Sequence, residues 1–233
     1  MVVPKSGVWI PPKVDLRPHD SPIYDQGQLG SCTGNATAGA IEFARRLEGL
    51  PDIVPSRLFL YFNGRALEGT TKIDAGAEIR DVIKGAIKPG VCPESEWPYD
   101  ISQFATQPTP QCYTDATHDH VIRYSVVHQS SIGMKTCLAM GFPFVFGFTV
   151  YDSFESVEVA NTGVVPMPGQ DESVLGGHAV MAVGYDDAEQ RYIVRNSWGE
   201  GWGDKGYFHM PYAYLKNPNL SSDFWMIELM SKD

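Results

Sequence analysis

One thiol, one imidazole and one carboxamide in this chain have the types and spacing for nucleophilic acyl chemistry. Cys32 stands in GQLGSCTGNATAGAIEF, where a Gly-rich turn gives way to small residues at helical spacing. A helix start places unpaired backbone N–H groups and the positive end of the helix dipole beside the sulfur, which favours thiolate. A cysteine also fills core gaps as a small hydrophobe, so the rest of the chain must decide. A thiol nucleophile needs a base, a group that orients the base, and donors for an oxyanion. His178, in LGGHAVMAVGYD, opens a strand behind two glycines and is the candidate base. Asn196, in VRNSWGEGWGDKGYF, ends the next strand across a short DDAEQ turn. A hairpin lays its second strand beside its first, so Asn196 can come close to His178 and hold its ring.

These residues need a helix start on one side and a hairpin on the other. Ala36, Ala40, Phe43, Ala44 and Leu47 recur at helical spacing, predicting a helix over 32–48 that Gly49 and Pro51 end. Gly34 and Gly39 lie inside it at about 1 kcal/mol each against alanine, which implies close approach by another element. A second helix is expected from Pro55-Ser56 to about Gly69. A third, over about 76–88, carries Ile79, Val82, Ile83, Ala86 and Ile87 on one face until Pro89-Gly90 stops it. Residues 91–118 are rich in turn formers and read as a surface connection. A short helix over about 131–140 then precedes the strands FPFVFGFTV, HAVMAVGYD, RYIVRNS, GYFHM and FWMIELM. The layout is α+β: an extended arm over 1–24, a mainly helical subdomain over 25–115 and a mainly β subdomain over 116–233.

The bulk properties exclude several classes. The chain has 233 residues, 43% hydrophobic and 20% charged, with a net charge of −10, which argues against nucleic acid or an anionic membrane as partner. The longest apolar run, Phe142–Val150, is far short of the roughly 18–20 residues of a membrane span. The opening MVVPKSGVWIPPK has no apolar core of a secretory signal. With Cys32 free, Cys92, Cys112 and Cys137 allow at most one bridge, in any of three pairings. His118 and His120 in THDH have no third ligand at metal spacing and read as surface residues, so neither metal nor cofactor is expected. GSCTG at 30–34 also matches an α/β-hydrolase elbow with Cys for Ser. That elbow follows an apolar strand, which IYDQGQL is not, and its acid lies between nucleophile and base, whereas Asn196 follows His178.

PPKVDLRP, DQGQLGSC, GVCPESEWPYD, GGHAVMAVGYD and NSWGEGWGDKGYF together resemble the papain-like cysteine peptidases, most like bacterial or other microbial members. The interval from Cys32 to His178 also suits the roughly 130–150 residues of that family. The resemblance implies a two-subdomain fold, with a helical left subdomain, an antiparallel β-barrel-like right subdomain and the active-site cleft between them. It implies Cys32 as nucleophile, His178 as its imidazolium partner and acid, and Asn196 as the acceptor that fixes the ring. Gln26 and the Cys32 backbone amide would hold the oxyanion, and Trp198 would shield the His178–Asn196 bond. Gly76, Ala77, Leu175 and Gly177 would line the substrate groove beside Trp198, with an apolar preference two residues before the cleaved bond.

The implied activity is endopeptidase action through a thioester. A peptide ligase or transpeptidase, or a catalytically silent peptide-binding module, are the alternatives. The implied partners are a peptide or protein substrate and a proteinaceous inhibitor or prosegment, in a secreted or periplasmic setting ahead of a cytoplasmic one. The chain departs from the family pattern in places. Thr33 follows the nucleophile where tryptophan is usual, and Gly177 precedes the histidine where plant members often have aspartate. Leu29 and Ile73 stand where the family has a half-cystine pair, so an apolar contact is expected in its place. No counterpart of the family's long inhibitory prosegment stands in these 233 residues.

Overall fold

The helical periodicity that begins at Cys32 is realised as α1 (Cys32–Leu47) in a computed structural model that describes residues 9–230 of the chain. Residues 1–8 of the expected arm lie outside the described residues. The remainder of the arm supplies β1 (Lys13–Asp15). Two further helices, α2 (Arg57–Glu68) and α3 (Ile79–Ile87), pack around α1. The Ser56 hydroxyl caps α2 by accepting the Phe59 N–H at 3.1 Å, and Gly69 ends it in the left-handed region at φ 72°. Gly34 marks where α2 crosses α1. A Cβ there would lie 2.7 Å from the Arg57 carbonyl oxygen, so only glycine permits this approach.

The later elements are α4 (Pro110–Ala116), β2 (Val121–Val126), α5 (Ser131–Ala139), β3 (Phe144–Tyr151), α6 (Val157–Thr162), β4 (Val174–Asp186), β5 (Arg191–Arg195), β6 (Tyr207–Pro211), α7 (Tyr212–Lys216) and β7 (Ser221–Met230). The strands form one antiparallel sheet in the order β2-β7-β3-β4-β5-β6, with β1 paired to the far end of β4. The path is open rather than closed into a barrel.

The two-residue period of the strands divides the core in two. Ala179, Met181 and Val183 of β4 join Ala36, Ala40, Ile41 and Ala44 of α1 on one face of the sheet. Val180 and Ala182 join Phe144, Phe146 and Phe148 of β3 on the other, under α5 and α7. Small side chains on α1 let the helix lie close to the sheet. Its N-terminus thereby reaches the start of β4.

Residues 91–118 are more than a surface connection. Thr109 accepts the Cys112 N–H at 3.4 Å and starts α4, with Pro110 in the first turn. Cys92, Cys112 and Ala116 are then buried with Phe59. The strand β2 went unread because its largely exposed residues show no clean alternation.

Candidate active site

Cys32 is half-buried at the first position of α1. Ser31 makes no side-chain cap bond; its hydroxyl contacts the Tyr99 hydroxyl instead. Burial pushes the Cys32 thiol up. Backbone N–H groups of Ala179, Thr33 and Cys32 itself pull it down, and the nearby Asp74 charge adds to the rise. Ala179 follows His178 in β4, so its N–H ties the Cys32 sulfur to the strand that carries the imidazole. Cys32 and His178 line the same cavity, of about 450 Å³.

Asn196 meets His178 as the hairpin predicts. His178 Nε2 lies 2.8 Å from Asn196 Oδ1, which also accepts the Ser197 N–H at 2.9 Å. The second bond identifies the oxygen end of the carboxamide. Nε2 therefore carries the ring hydrogen, and Nδ1 is left as the basic atom of the neutral ring. Trp198 stacks on the imidazole with centroids 5.0 Å apart at 25°. Phe148 at 5.7 Å and Phe154 at 6.5 Å complete an aromatic wall. This burial pushes His178 down to about 4, against the upward pull of the Asn196 bond. Phe148 carries a readable signal, since it is paired with His178 across β3 and β4. Phe154 carries none, because it lies in a short loop turn.

Gln26 is buried and oriented from both ends. Its Nε2 donates to the Leu29 carbonyl at 3.1 Å, and its Oε1 accepts the Ser197 hydroxyl at 2.6 Å. Its backbone N–H bonds the Ser197 carbonyl at 2.8 Å, and its carbonyl accepts the Tyr99 hydroxyl at 2.9 Å. Among the described residues, the Leu29 carbonyl is the acceptor that Nε2 meets.

The expected apolar contact between Leu29 and Ile73 is absent. Leu29 is buried with Leu58 and Tyr61, whereas Ile73 is 62% exposed. A carboxylate does the work instead. Asp74 accepts the Gly30 N–H at 3.1 Å and the Tyr61 hydroxyl at 2.6 Å, which binds the 73–77 loop to the turn before Cys32.

Gly76, Ala77 and Gly177 stand on the cavity wall. Leu175 does not; it is 49% exposed at the outer end of β4. Trp198 lies behind the imidazole rather than on the wall. The wall also carries Glu68, Glu78 and Asp223, which sequence reasoning missed. Chain separation hides them, because they come from α2, the start of α3 and β7.

All four cysteines are free. Away from the cavity, ligand atoms of Cys92, Glu96 and Cys112 lie within 4.8 Å of one another, a cluster that their spacing did not reveal. Among the described residues, no helix is long and apolar enough to cross a membrane.

A family model described as papain family cysteine protease matches residues 10–224. The chain is 42% identical over 231 residues to an uncharacterized peptidase C1-like protein of Acanthamoeba polyphaga mimivirus, covering 95% of this chain and 74% of that one. The crystal structure of xylellain, a cysteine protease from Xylella fastidiosa, superposes with a TM-score of 0.90 at 45% identity, over 97% of this chain and 90% of that one. A Carica candamarcensis cysteine protease in complex with E-64 shares the fold, with a TM-score of 0.65 at 20% identity over 86% of this chain and 89% of that one. Further curated relatives are 27–30% identical, and the chain spans between 52% and 70% of their length. By this family match and by its likeness to xylellain, the chain belongs to the papain family of cysteine proteases.

Proposed function

We infer that the protein is a cysteine endopeptidase that works through a thioester, with Cys32, His178 and Asn196 as its triad. The observation that carries this reading is the 2.8 Å bond from His178 Nε2 to Asn196 Oδ1, with Cys32 and His178 lining one cavity. That bond leaves Nδ1 to take the Cys32 proton. Burial alone opposes either charge. A proton passing from Sγ to Nδ1 creates both charges together, and their mutual attraction offsets the cost. Three backbone N–H groups at the sulfur favour the thiolate side of this exchange.

The thiolate attacks the carbonyl carbon of the scissile bond. The resulting oxyanion is held by the Cys32 N–H and the remaining Gln26 Nε2 hydrogen. His178 gives its proton to the leaving amine, and the C–N bond breaks to leave a thioester on Cys32. Nδ1 then takes a proton from water, whose oxygen attacks the thioester; the acid product leaves and Cys32 regains its proton. Trp198 and Phe154 keep water from the His178–Asn196 bond. Besides substrate, the expected partner is a prosegment or protein inhibitor lying across the same cleft.

Digestion of an unfolded protein tests this reading. Internal bonds should be cut, one atom of solvent oxygen-18 should enter each new carboxylate, and Cys32→Ala should abolish both. Label-free joining to an added amine would instead mark a ligase.

A further inference from the structure

Two thiols that the acyl chemistry does not use meet away from the cavity. Cys92 lies in the loop after α3 and Cys112 in α4, and both are fully buried. Glu96 closes the turn that Pro93 begins, its N–H on the Pro93 carbonyl at 3.1 Å, which brings its side chain back beside Cys92. The two sulfurs and a Glu96 carboxylate oxygen all lie within 4.8 Å of one another. Sulfur at about 2.3 Å and oxygen at about 2.1 Å from a tetrahedral zinc ion lie about 3.5–4 Å apart. Small side-chain turns therefore bring all three onto one ion.

The surroundings suit such a site. The sulfurs have only long contacts to acceptors, Cys92 to the Pro93 carbonyl at 3.5 Å and Cys112 to the Glu96 carbonyl at 3.9 Å. Thr109 Oγ1 accepts the Cys112 N–H at 3.4 Å and lies 3.1 Å from Cys112 Sγ, so its O–H is placed to donate to a thiolate. Asp115, one turn after Cys112 on α4, shares a hydrogen bond with the Glu96 carboxyl. Gln111 Nε2 holds Asp115 in turn, at 2.9 and 2.8 Å. Such outer partners fix a ligand's orientation. Among the described residues, no ion pair reaches Glu96 or Asp115. A disulfide would account for the two sulfurs but not for the carboxylate aimed at them, and packing against Phe59 calls for neither.

We propose that Cys92, Cys112 and Glu96 bind one thiophilic divalent cation of the zinc class, with the fourth place open to solvent on the exposed Glu96 side. Two sulfurs select such an ion over magnesium or calcium. The ion is structural, since none of its ligands stands on the wall of the cavity at Cys32. It clamps α4 to the loop 92–99. That loop meets the start of α2, where the Cys92 carbonyl accepts the Ser56 N–H and the Trp97 carbonyl accepts the Ser56 hydroxyl, each at 2.7 Å. It also carries Tyr99, whose hydroxyl donates to the Gln26 carbonyl. The expectation of no metal rested on the THDH histidines, whereas this site joins two segments that no local motif connects.

Metal titration of tag-free Cys32→Ala protein, reduced and stripped with a chelator, tests this without the active-site thiol. Co2+ should raise a thiolate-to-metal charge-transfer band that saturates at one equivalent, and one equivalent of Zn2+ should remove it. Zn2+ should also raise the thermal midpoint. Glu96→Gln keeps both buried thiols and changes an exposed side chain, so it should fold; its Zn2+ affinity should fall about tenfold or more. Asp115→Asn should weaken binding about tenfold through Glu96. No band at millimolar Co2+, or an affinity unmoved in Glu96→Gln, overturns the proposal. So does a Cys92–Cys112 disulfide in the protein as isolated, found by non-reducing peptide mapping.

Discussion

Ser197 donates its hydroxyl to the side-chain oxygen of Gln26 at 2.6 Å. The residue after Asn196 therefore sets which end of the Gln26 carboxamide faces the Leu29 carbonyl. Free rotation of that amide would offer an oxygen to the developing oxyanion half of the time. Gln26→Ala, which removes the donor, should lower kcat by about 10²–10³. Ser197→Ala removes only the orienting bond, at about 1 kcal/mol, and should lower kcat about fivefold with KM little changed. Steady-state kinetics of both variants on one peptide checks this. Full activity in Ser197→Ala would show that the Leu29 carbonyl alone orients the amide.

Asp74 has two separable effects. Its carboxylate binds the 73–77 loop to Gly30, and its charge pushes the Cys32 thiol up. Asp74→Asn keeps the shape and an acceptor but removes the charge, so the thiol should ionise at lower pH. Asp74→Ala also loses the bonds to Gly30 and Tyr61 and should cost a further 1–2 kcal/mol or so of stability. Alkylation of Cys32 against pH reads the first effect and urea denaturation the second. A Cys32 midpoint that rises in Asp74→Asn would contradict the assigned direction.

The meeting of His178 with Asn196, and of Cys32 with His178 on one cavity, was legible because its signals are local. Cys32 lies at the start of a periodic helix, and His178 and Asn196 lie on strands joined by one short turn. The cavity wall was not, because Glu68, Glu78 and Asp223 meet only after α2, α3 and β7 are packed. Leu175 was placed on the groove by resemblance and by its apolar type, and neither says how far along β4 the cavity wall extends. Ile73 misled because the family position of a bridging residue does not fix what replaces it; the adjacent Asp74 took over that task with a polar bond. Gly34 was read correctly as a close approach, since steric need is written in the residue itself.

That steric need gives a stability prediction. A methyl at position 34 would sit 2.7 Å from the Arg57 carbonyl oxygen and 3.1 Å from Tyr61 Cβ. Neither is the end of a flexible side chain, so α1 and α2 must separate. Gly34→Ala should lose about 1–3 kcal/mol despite alanine's better helix propensity. At Gly201, where a methyl meets nothing within 4 Å, alanine should be close to neutral. Paired thermal melts decide it, and a stabilised Gly34→Ala would show that the helices are not so closely apposed.

With Cys32 replaced by alanine, His178 has no thiol proton to receive. Burial then holds it down at about 4, below the 6.5 of an exposed histidine. The unfolded chain binds the extra proton first as pH falls. This residue's stabilising contribution is therefore complete above pH 6.5, declines as pH drops, and is gone below about pH 4. The difference amounts to about 3 kcal/mol. Urea midpoints of Cys32→Ala at pH 7, 5.5 and 4 should fall more steeply than those of the double variant Cys32→Ala/His178→Gln. Parallel curves would mean that His178 keeps its proton in the fold.

Alkylation of the intact protein separates the ion pair from an uncharged pair. Burial pushes Cys92 and Cys137 far above the usual thiol range, and Cys112 is buried beside Cys92. These three should resist iodoacetamide in the folded protein. Cys32 is half-buried and faces the cavity, so it alone should react. An isolated thiol ionises near pH 8.5 and reacts slowly at pH 5, whereas a thiolate paired with imidazolium is already formed there. We expect fast labelling of Cys32 at pH 5, mapped by mass spectrometry, and its loss in His178→Ala. If labelling rises only above pH 8, burial has won over mutual attraction. The resting site is then uncharged, and the proton must move after substrate has displaced water from the cavity.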